Sequence, residues 1–336
     1  MDEPPPLSVG QSRRSFSRMS TTSLESAHLA APPALQVEQA AIRTVAYADV
    51  FDYPLQFLEV HRYIHGTAAT TEATEAALAH CSASGGALCH RDGFYMLDGR
   101  ESLVAVRHRR AVIADRLWPA ALSYGRLIAA LPFVRMVAVT GSLAWHNVDT
   151  GGDIDYLIVT DPGRLWLCRL LVALVRRAAR RDGVKLCANY LISTRALAFA
   201  HRNLYTAYEV ARMTPIAGLG MYRRLRRANP WVEAYLPNAV NLPRAPERDA
   251  VDRSHQPKMG LASLARVTQR ILGSPLGALL ERWEMRYRMR KLATMGNPVG
   301  ECAYGVDWYK NHARGQARQT LAAFAERVRA LEAGAP

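Results

Sequence analysis

Two apolar runs separated by a short polar insert constrain this chain more than any other feature. The first, Val137-Ala-Val-Thr-Gly141-Ser142, ends in Gly-Ser; the second opens after ten intervening residues as Asp153-Ile-Asp155-Tyr-Leu-Ile-Val-Thr160. Both runs have the length and the β-branched content of buried strands. Residues i and i+2 of a strand share a face, so Asp153 and Asp155 project together, close enough to hold a divalent cation between them. Gly141 permits a tight turn with exposed N–H groups, and Ser142 is suited to cap a short helix after it. A triphosphate tail needs both features. The same residues also fit an ordinary surface turn whose aspartates bond their own backbone.

The chain continues through Asp161-Pro162-Gly163 into a helix predicted over about 164–181, then Asp182-Gly183 and a buried-type strand over 184–192. Strand, Gly-Ser helix, strand, helix, strand is a compact α/β unit. Over residues 134–195 this pattern resembles the nucleotidyltransferase superfamily, the DNA polymerase β-like fold. Its signature is Gly-Ser, a spacer of about ten residues, then Asp-x-Asp on the next strand. The resemblance implies an α/β (α+β) nucleotidyltransferase core with a mixed sheet backed by helices. It implies Mg2+ (or Mn2+) held by Asp153 and Asp155 as the catalytic pair, and an NTP as substrate with its phosphates on Gly141 and Ser142. The reaction would pass a nucleoside monophosphate to the hydroxyl of an acceptor, with loss of pyrophosphate. The acceptor is open between a small molecule, a protein and an RNA end.

In that superfamily the third strand commonly supplies another carboxylate. Asn189 stands at the matching position here, with Cys187 two residues before it, and neither is a good ligand for a hard cation. Glu209, in a helical segment over 205–213, is either a substitute acid or a solvent-facing one. Arg164 and Lys185 are candidates to neutralise the departing pyrophosphate. Trp231 and Tyr235, at i and i+4, are spaced for a core-facing helix or for stacking on a base.

Upstream, helical spacing begins near Leu35 and ends at Phe51-Asp52-Tyr53-Pro54. A second helix is expected over 55–64, and a third from Thr70-Thr71-Glu72 to about Ser82. Leu88–Arg91 and Phe94–Leu97 flank Asp92-Gly93, a strong hairpin signal. Three helices and a hairpin is the order of a winged helix-turn-helix. The third helix carries Glu72 and Glu75 with no Lys or Arg, a poor surface for phosphates, so packing or partner binding is expected rather than sequence-specific DNA reading. A long helix over about 102–130, kinked or divided at Pro119, leads to the first core strand.

The expected organisation is therefore a disordered Pro/Ser/Thr/Arg-rich tail (1–34), a winged-helix-like domain (35–100), the nucleotidyltransferase core (101–240), a linker (241–260) and C-terminal helices (261–336). Within the last region, helices are expected over 261–294, interrupted at 273–275, and over 308–332, with Lys310 and His312 near the start of the second. At 336 residues, 49% apolar and 21% charged, the chain has room for two or three globular cores. The apolar run Leu165–Val175 is short and contains Arg169, so it reads as a buried helix and no membrane partner is expected. The N-terminus shows no secretory signal, and five cysteines without a CxxC pair suit a reducing, cytoplasmic setting. Much of the net charge of +14 lies in residues 161–230, which hold 14 Lys/Arg against three Asp/Glu. That surface makes nucleic acid a possible partner. A catalytically weak nucleotide-binding or regulatory module is the alternative to an active transferase.

Overall fold

The computed structural model describes residues 33–240, 270–294, 303–310 and 315–334. Residues 1–32 of the tail expected over 1–34, the expected linker over 241–260, residues 261–269 of the helix expected over 261–294, and His312 lie outside them. The described residues, from Pro33 onward, belong to one compact unit.

Helix α1 (Pro33–Asp49) buries Val37, Ala41, Thr44, Val45 and Ala48 at helical spacing. Short strand β1 (Leu55–Gln56) and helix α2 (Phe57–Arg62) follow, where one helix from Leu55 was expected. Leu55 and Gln56 instead pair with Tyr95 and Phe94, and the Glu59 carboxylate accepts the Gln56 backbone N–H at 3.0 Å, which starts the helix at Phe57. Helix α3 (Thr71–Cys81) is capped by Thr70, whose hydroxyl oxygen accepts from the Ala73 N–H at 3.1 Å. Strands β2 (Leu88–Arg91) and β3 (Phe94–Leu97) form the expected hairpin, with Asp92 and Gly93 at φ 51° and 81°. Two positive φ values in a two-residue loop match the right-handed twist of the flanking strands. The small antiparallel sheet has the order β1-β3-β2.

Helix α4 (Leu103–Ala129) runs undivided through Pro119 for about 40 Å and delivers the chain to the large sheet. Its strands are β4 (Val134–Thr140), β5 (Ile154–Thr160), β6 (Leu186–Ser193), β7 (Thr214–Ala217), β8 (Ala303–Tyr304) and β9 (Trp308–Lys310), in the order β7-β4-β5-β6-β9-β8. Only β5 and β6 are parallel, joined by helix α6 (Leu165–Arg181); the other neighbours are antiparallel, which makes the sheet mixed. Between β4 and β5 lies the four-residue helix α5 (Gly141–Ala144). Helices α7 (Leu204–Arg212), α8 (Leu219–Arg227), α9 (Val232–Tyr235), α10 (Pro275–Thr294) and α11 (Gln316–Ala333) complete the described elements. Lys310 thus ends a strand rather than opening a helix, because β9 pairs with β6 and places Lys310 opposite Tyr190.

Alternation along β5 divides the core. Ile154, Tyr156 and Ile158 pack with α4 and α6, among them Trp118 and Trp166. Leu157 and Val159 face the other way, into a cluster built by α1, α7, α8 and α9 that includes Tyr47 and Tyr208. The N-terminal helices and the large sheet therefore share a core. Tyr47 stacks on Tyr208 with ring centroids 4.2 Å apart, and Phe324 of α11 meets Tyr47 edge-on at 5.5 Å. Arg327 of α11 donates to the Asp49 carboxylate at 2.6 Å, so the first and last described helices are tied together. No helix among the described residues is long and apolar enough to cross a membrane.

Candidate metal centre

Thr140 ends β4 opposite Asp155 of β5, and Asp155 in turn stands opposite Cys187 of the parallel strand β6. These three neighbouring strand positions bring the Gly-Ser turn, the acidic pair and the third strand into one place. Gly141 has φ 63°, and a Cβ there would run into the Asp155 carboxylate. Glycine is required on both counts: its backbone adopts the left-handed region, and it lets a carboxylate lie against the turn. Ser142 sits inside α5 rather than capping it, since Thr140 holds the N-cap position. The loop into β5 is pinned from both sides. Lys185 Nζ donates to the Gly151 carbonyl at 3.1 Å, and the Ile154 N–H donates to the Lys185 carbonyl at 2.9 Å.

Donor atoms of Asp153, Asp155 and Cys187 all lie within 4.8 Å of one another. Asn189 donates from Nδ2 to Asp155 Oδ1, and Cys187 donates its thiol proton to Asn189 Oδ1 at 2.8 Å. A shift in the β5–β6 register makes this possible. Tyr156 pairs with Ala188 and Leu157 with Tyr190, so Asn189 is an extra residue in β6. Such a bulge re-aims a side chain beside a site; here Asn189 reaches Asp155 while Tyr190 still turns into the core.

The Asp155 carboxyl is held well above the usual carboxylate range, first by burial and then by the charges of Asp153 and Glu209; hydrogen bonds from Cys187 and Asn189 partly oppose this. Burial, reinforced by Asp155 and Asp153, pushes the Cys187 thiol up to about 12. Glu209 belongs to α7, and burial pushes its carboxyl up to about 7 against the opposing charge of Lys310. It is half-buried, on the side of α7 that faces Lys310. Crowded carboxylates of this kind are relieved by a cation. The two aspartate side chains suit a hard divalent ion, which binds through one or two carboxylates and completes its shell with phosphate and water. The protonated Cys187 thiol does not suit such an ion.

Other candidates fall elsewhere. Arg164 follows the far end of β5, donates to the Gly163 carbonyl at 3.1 Å, and lies over the Phe133 ring at 5.2 Å. Five strand residues, Tyr156–Thr160, about 17 Å, lead from Asp155 to that end, so Arg164 does not belong to the centre, whereas Lys185 stands beside it. Trp231 and Tyr235 pack against the shared core, with the indole N–H bonded to Asn229 Oδ1 at 3.1 Å.

Sequence reasoning missed a buried charge cluster beside α5. Glu59 accepts from Arg107 at 3.2 Å and Arg212 at 3.4 Å. The Arg212 guanidinium lies 3.5 Å from the Trp145 ring centre, and Arg107 donates to the Trp145 carbonyl at 3.3 Å. These residues come from α2, α4 and α7, far apart in the chain and without a local motif.

A scan against protein-family models found no match, and comparison with curated proteins and with solved structures found none either.

Proposed function

We propose that the chain is a divalent-cation-dependent nucleotidyltransferase. The observation that carries this reading is the juxtaposition of Asp153 and Asp155 oxygens, within 4.8 Å, against the bare backbone of Gly141. The aspartates would hold Mg2+ or Mn2+, which supplies charge neutralisation for an NTP's phosphates. The turn N–H groups of α5 would receive the β- and γ-phosphates, and Lys185 would add positive charge at the same end of the sheet. The acceptor hydroxyl oxygen forms a bond to the α-phosphorus, the bond to pyrophosphate breaks, and the hydroxyl proton passes to Glu209. Such chemistry rests on positioning and electrostatics, so few residues suffice. In this reading α1 to β3 form a winged-helix-like unit seated on the catalytic sheet.

Asn189 favours a second reading, a nucleotide-binding module with weak or no turnover. Its amide occupies the Asp155 oxygen that a third carboxylate would leave open for a second ion. The test is incubation with each α-labelled NTP and Mg2+ or Mn2+, scored for labelled protein, RNA or small molecule, alongside calorimetry of Mg–ATP. Asp153→Ala and Asp155→Ala are expected to abolish metal-dependent ATP binding with the fold intact. Unchanged affinity in both variants would remove the site assignment. Binding without transfer would select the second reading.

A further inference from the structure

Helix α10 turns its acids inward and a row of apolar side chains outward. Glu281 accepts the Trp166 and Leu167 N–H groups at 3.0 and 2.6 Å, in the first turn of α6. Glu284 accepts from Arg169 at 2.9 Å and from Arg288 at 2.8 Å, and Met285 packs against the core that α6 helps to build. These contacts fix the rotation of α10. Its opposite side carries Leu276, Leu279, Trp283 and Tyr287, each between 47% and 71% exposed. Spacings of three, four and four residues set them in one stripe about 16 Å long. The Trp283 and Tyr287 rings stack on each other, with centroids 5.6 Å apart and planes 6° from parallel. Arg282, Arg286 and Arg290 recur every four residues and run beside the stripe. All three are exposed and have no ion-pair partner among the described residues.

We propose that this side of α10 is a docking surface for an anionic phospholipid bilayer, which the chain contacts without crossing. An exposed patch of this size marks a contact site rather than ordinary surface. Leucine and aromatic rings beside a basic edge suit a helix lying in the bilayer interface, with apolar side chains at the acyl boundary and guanidinium groups reaching the phosphates. Charge decides the sign of the partner. Both acids of α10 are engaged on its inward side, so the charged groups of its outward side are cationic. A second copy of the chain is disfavoured, since two such arginine rows would meet. A nucleic acid would match the arginines but leave Leu276 and Leu279 without an apolar partner, and each of the two rings already covers one face of the other against a stacking base.

Vesicle flotation of the full chain tests this, with phosphatidylcholine alone and with an equimolar mixture of phosphatidylcholine and phosphatidylserine. The wild type is expected to float with the mixed vesicles and to bind the neutral ones about a hundredfold more weakly, the scale of three arginines at an anionic surface. Arg286→Gln with Arg290→Gln should weaken binding to the mixed vesicles about thirtyfold. Leu279→Gln with Trp283→Gln should weaken it about a hundredfold, through lost apolar burial. Brominated acyl chains should quench tryptophan emission more in the wild type than in Trp283→Phe. Unchanged melting temperatures verify the fold, because every substituted side chain is exposed. Wild-type flotation by the Leu279→Gln, Trp283→Gln chain overturns the proposal, since binding would then be adsorption of net charge elsewhere. No flotation with either vesicle, or equal quenching in wild type and Trp283→Phe, overturns it as well. A wild-type dimer that the same double variant converts to monomer assigns the stripe to a second copy instead. Oligonucleotide binding that this variant loses, without vesicle binding by the wild type, assigns it to nucleic acid, and either result overturns the lipid surface.

Discussion

Asn189 and Glu209 set how the centre responds to charge. The Asn189 amide donates to Asp155, and an aspartate there loses that donor and adds a negative charge beside a carboxyl already raised by burial and by the neighbouring acids. Asn189→Asp is therefore expected to destabilise the metal-free chain more at pH 8 than at pH 5, to recover part of the loss with Mn2+, and to transfer nucleotide more slowly. Thermal unfolding at both pH values and initial rates check this, and a clear rise in rate would contradict it. Glu209 gives a second titration. Its folded pKa of about 7 stands above the ordinary 4.5, so the folded chain retains a proton that the unfolded chain has released. Between those values stability falls as pH rises, and it levels off above the folded pKa. The wild-type melting temperature should drop from pH 5 to pH 7.5 by more than that of Glu209→Gln; parallel pH profiles for the two proteins would refute the assignment. Asp153 and Asp155 were legible in the sequence because strand alternation fixes a shared face for i and i+2. The thiol–amide–carboxylate chain was not, because it depends on a register shift in β6 that no local pattern encodes.

At the level of elements, local signals were read where local physics decides. The Thr70 cap, the Asp92-Gly93 turn and the helices flanking β5 each follow from short-range preferences. The misread elements are those fixed by partners distant in sequence. Leu55–Gln56 becomes a strand because β3 is beside it, and Trp308–Lys310 because β6 is. The Glu59–Arg107–Arg212 cluster belongs to the same class and joins α2, α4 and α7 around Trp145. Arg212→Ala removes a partner of a buried carboxylate together with the flat group stacked on the indole. Its cost should be on the order of 3 kcal/mol, as for other broken buried pairs. Urea unfolding of Arg212→Ala and Glu59→Gln checks this, with the arginine variant the less stable of the two. Near-zero loss in both would show that the cluster contributes no net stability.

At the scale of the molecule, the arginine clusters of α6 and α8 lie on the outside of the described residues. Arg177, Arg180 and Arg181 of α6 and Arg223, Arg224 and Arg227 of α8 are exposed, while Glu72 and Glu75 are exposed on α3. The full chain is expected to bind duplex DNA weakly, without sequence preference, and with an affinity that falls steeply as salt rises. Nanomolar selective binding retained at physiological salt would contradict this. The boundary expected near residue 100 was drawn from element order; α1 nevertheless buries Tyr47 against Tyr208 and Phe324. Composition gave no sign of this, because an apolar helix face looks the same whichever core it fills. The tie between α1 and α11 also has a history in time. Asp49 and Arg327 are 278 residues apart. At the pace of translation that separation lasts roughly 15–55 s. For that interval the nascent chain presents Tyr47 without its Phe324 neighbour, so completion of this core waits on synthesis of α11.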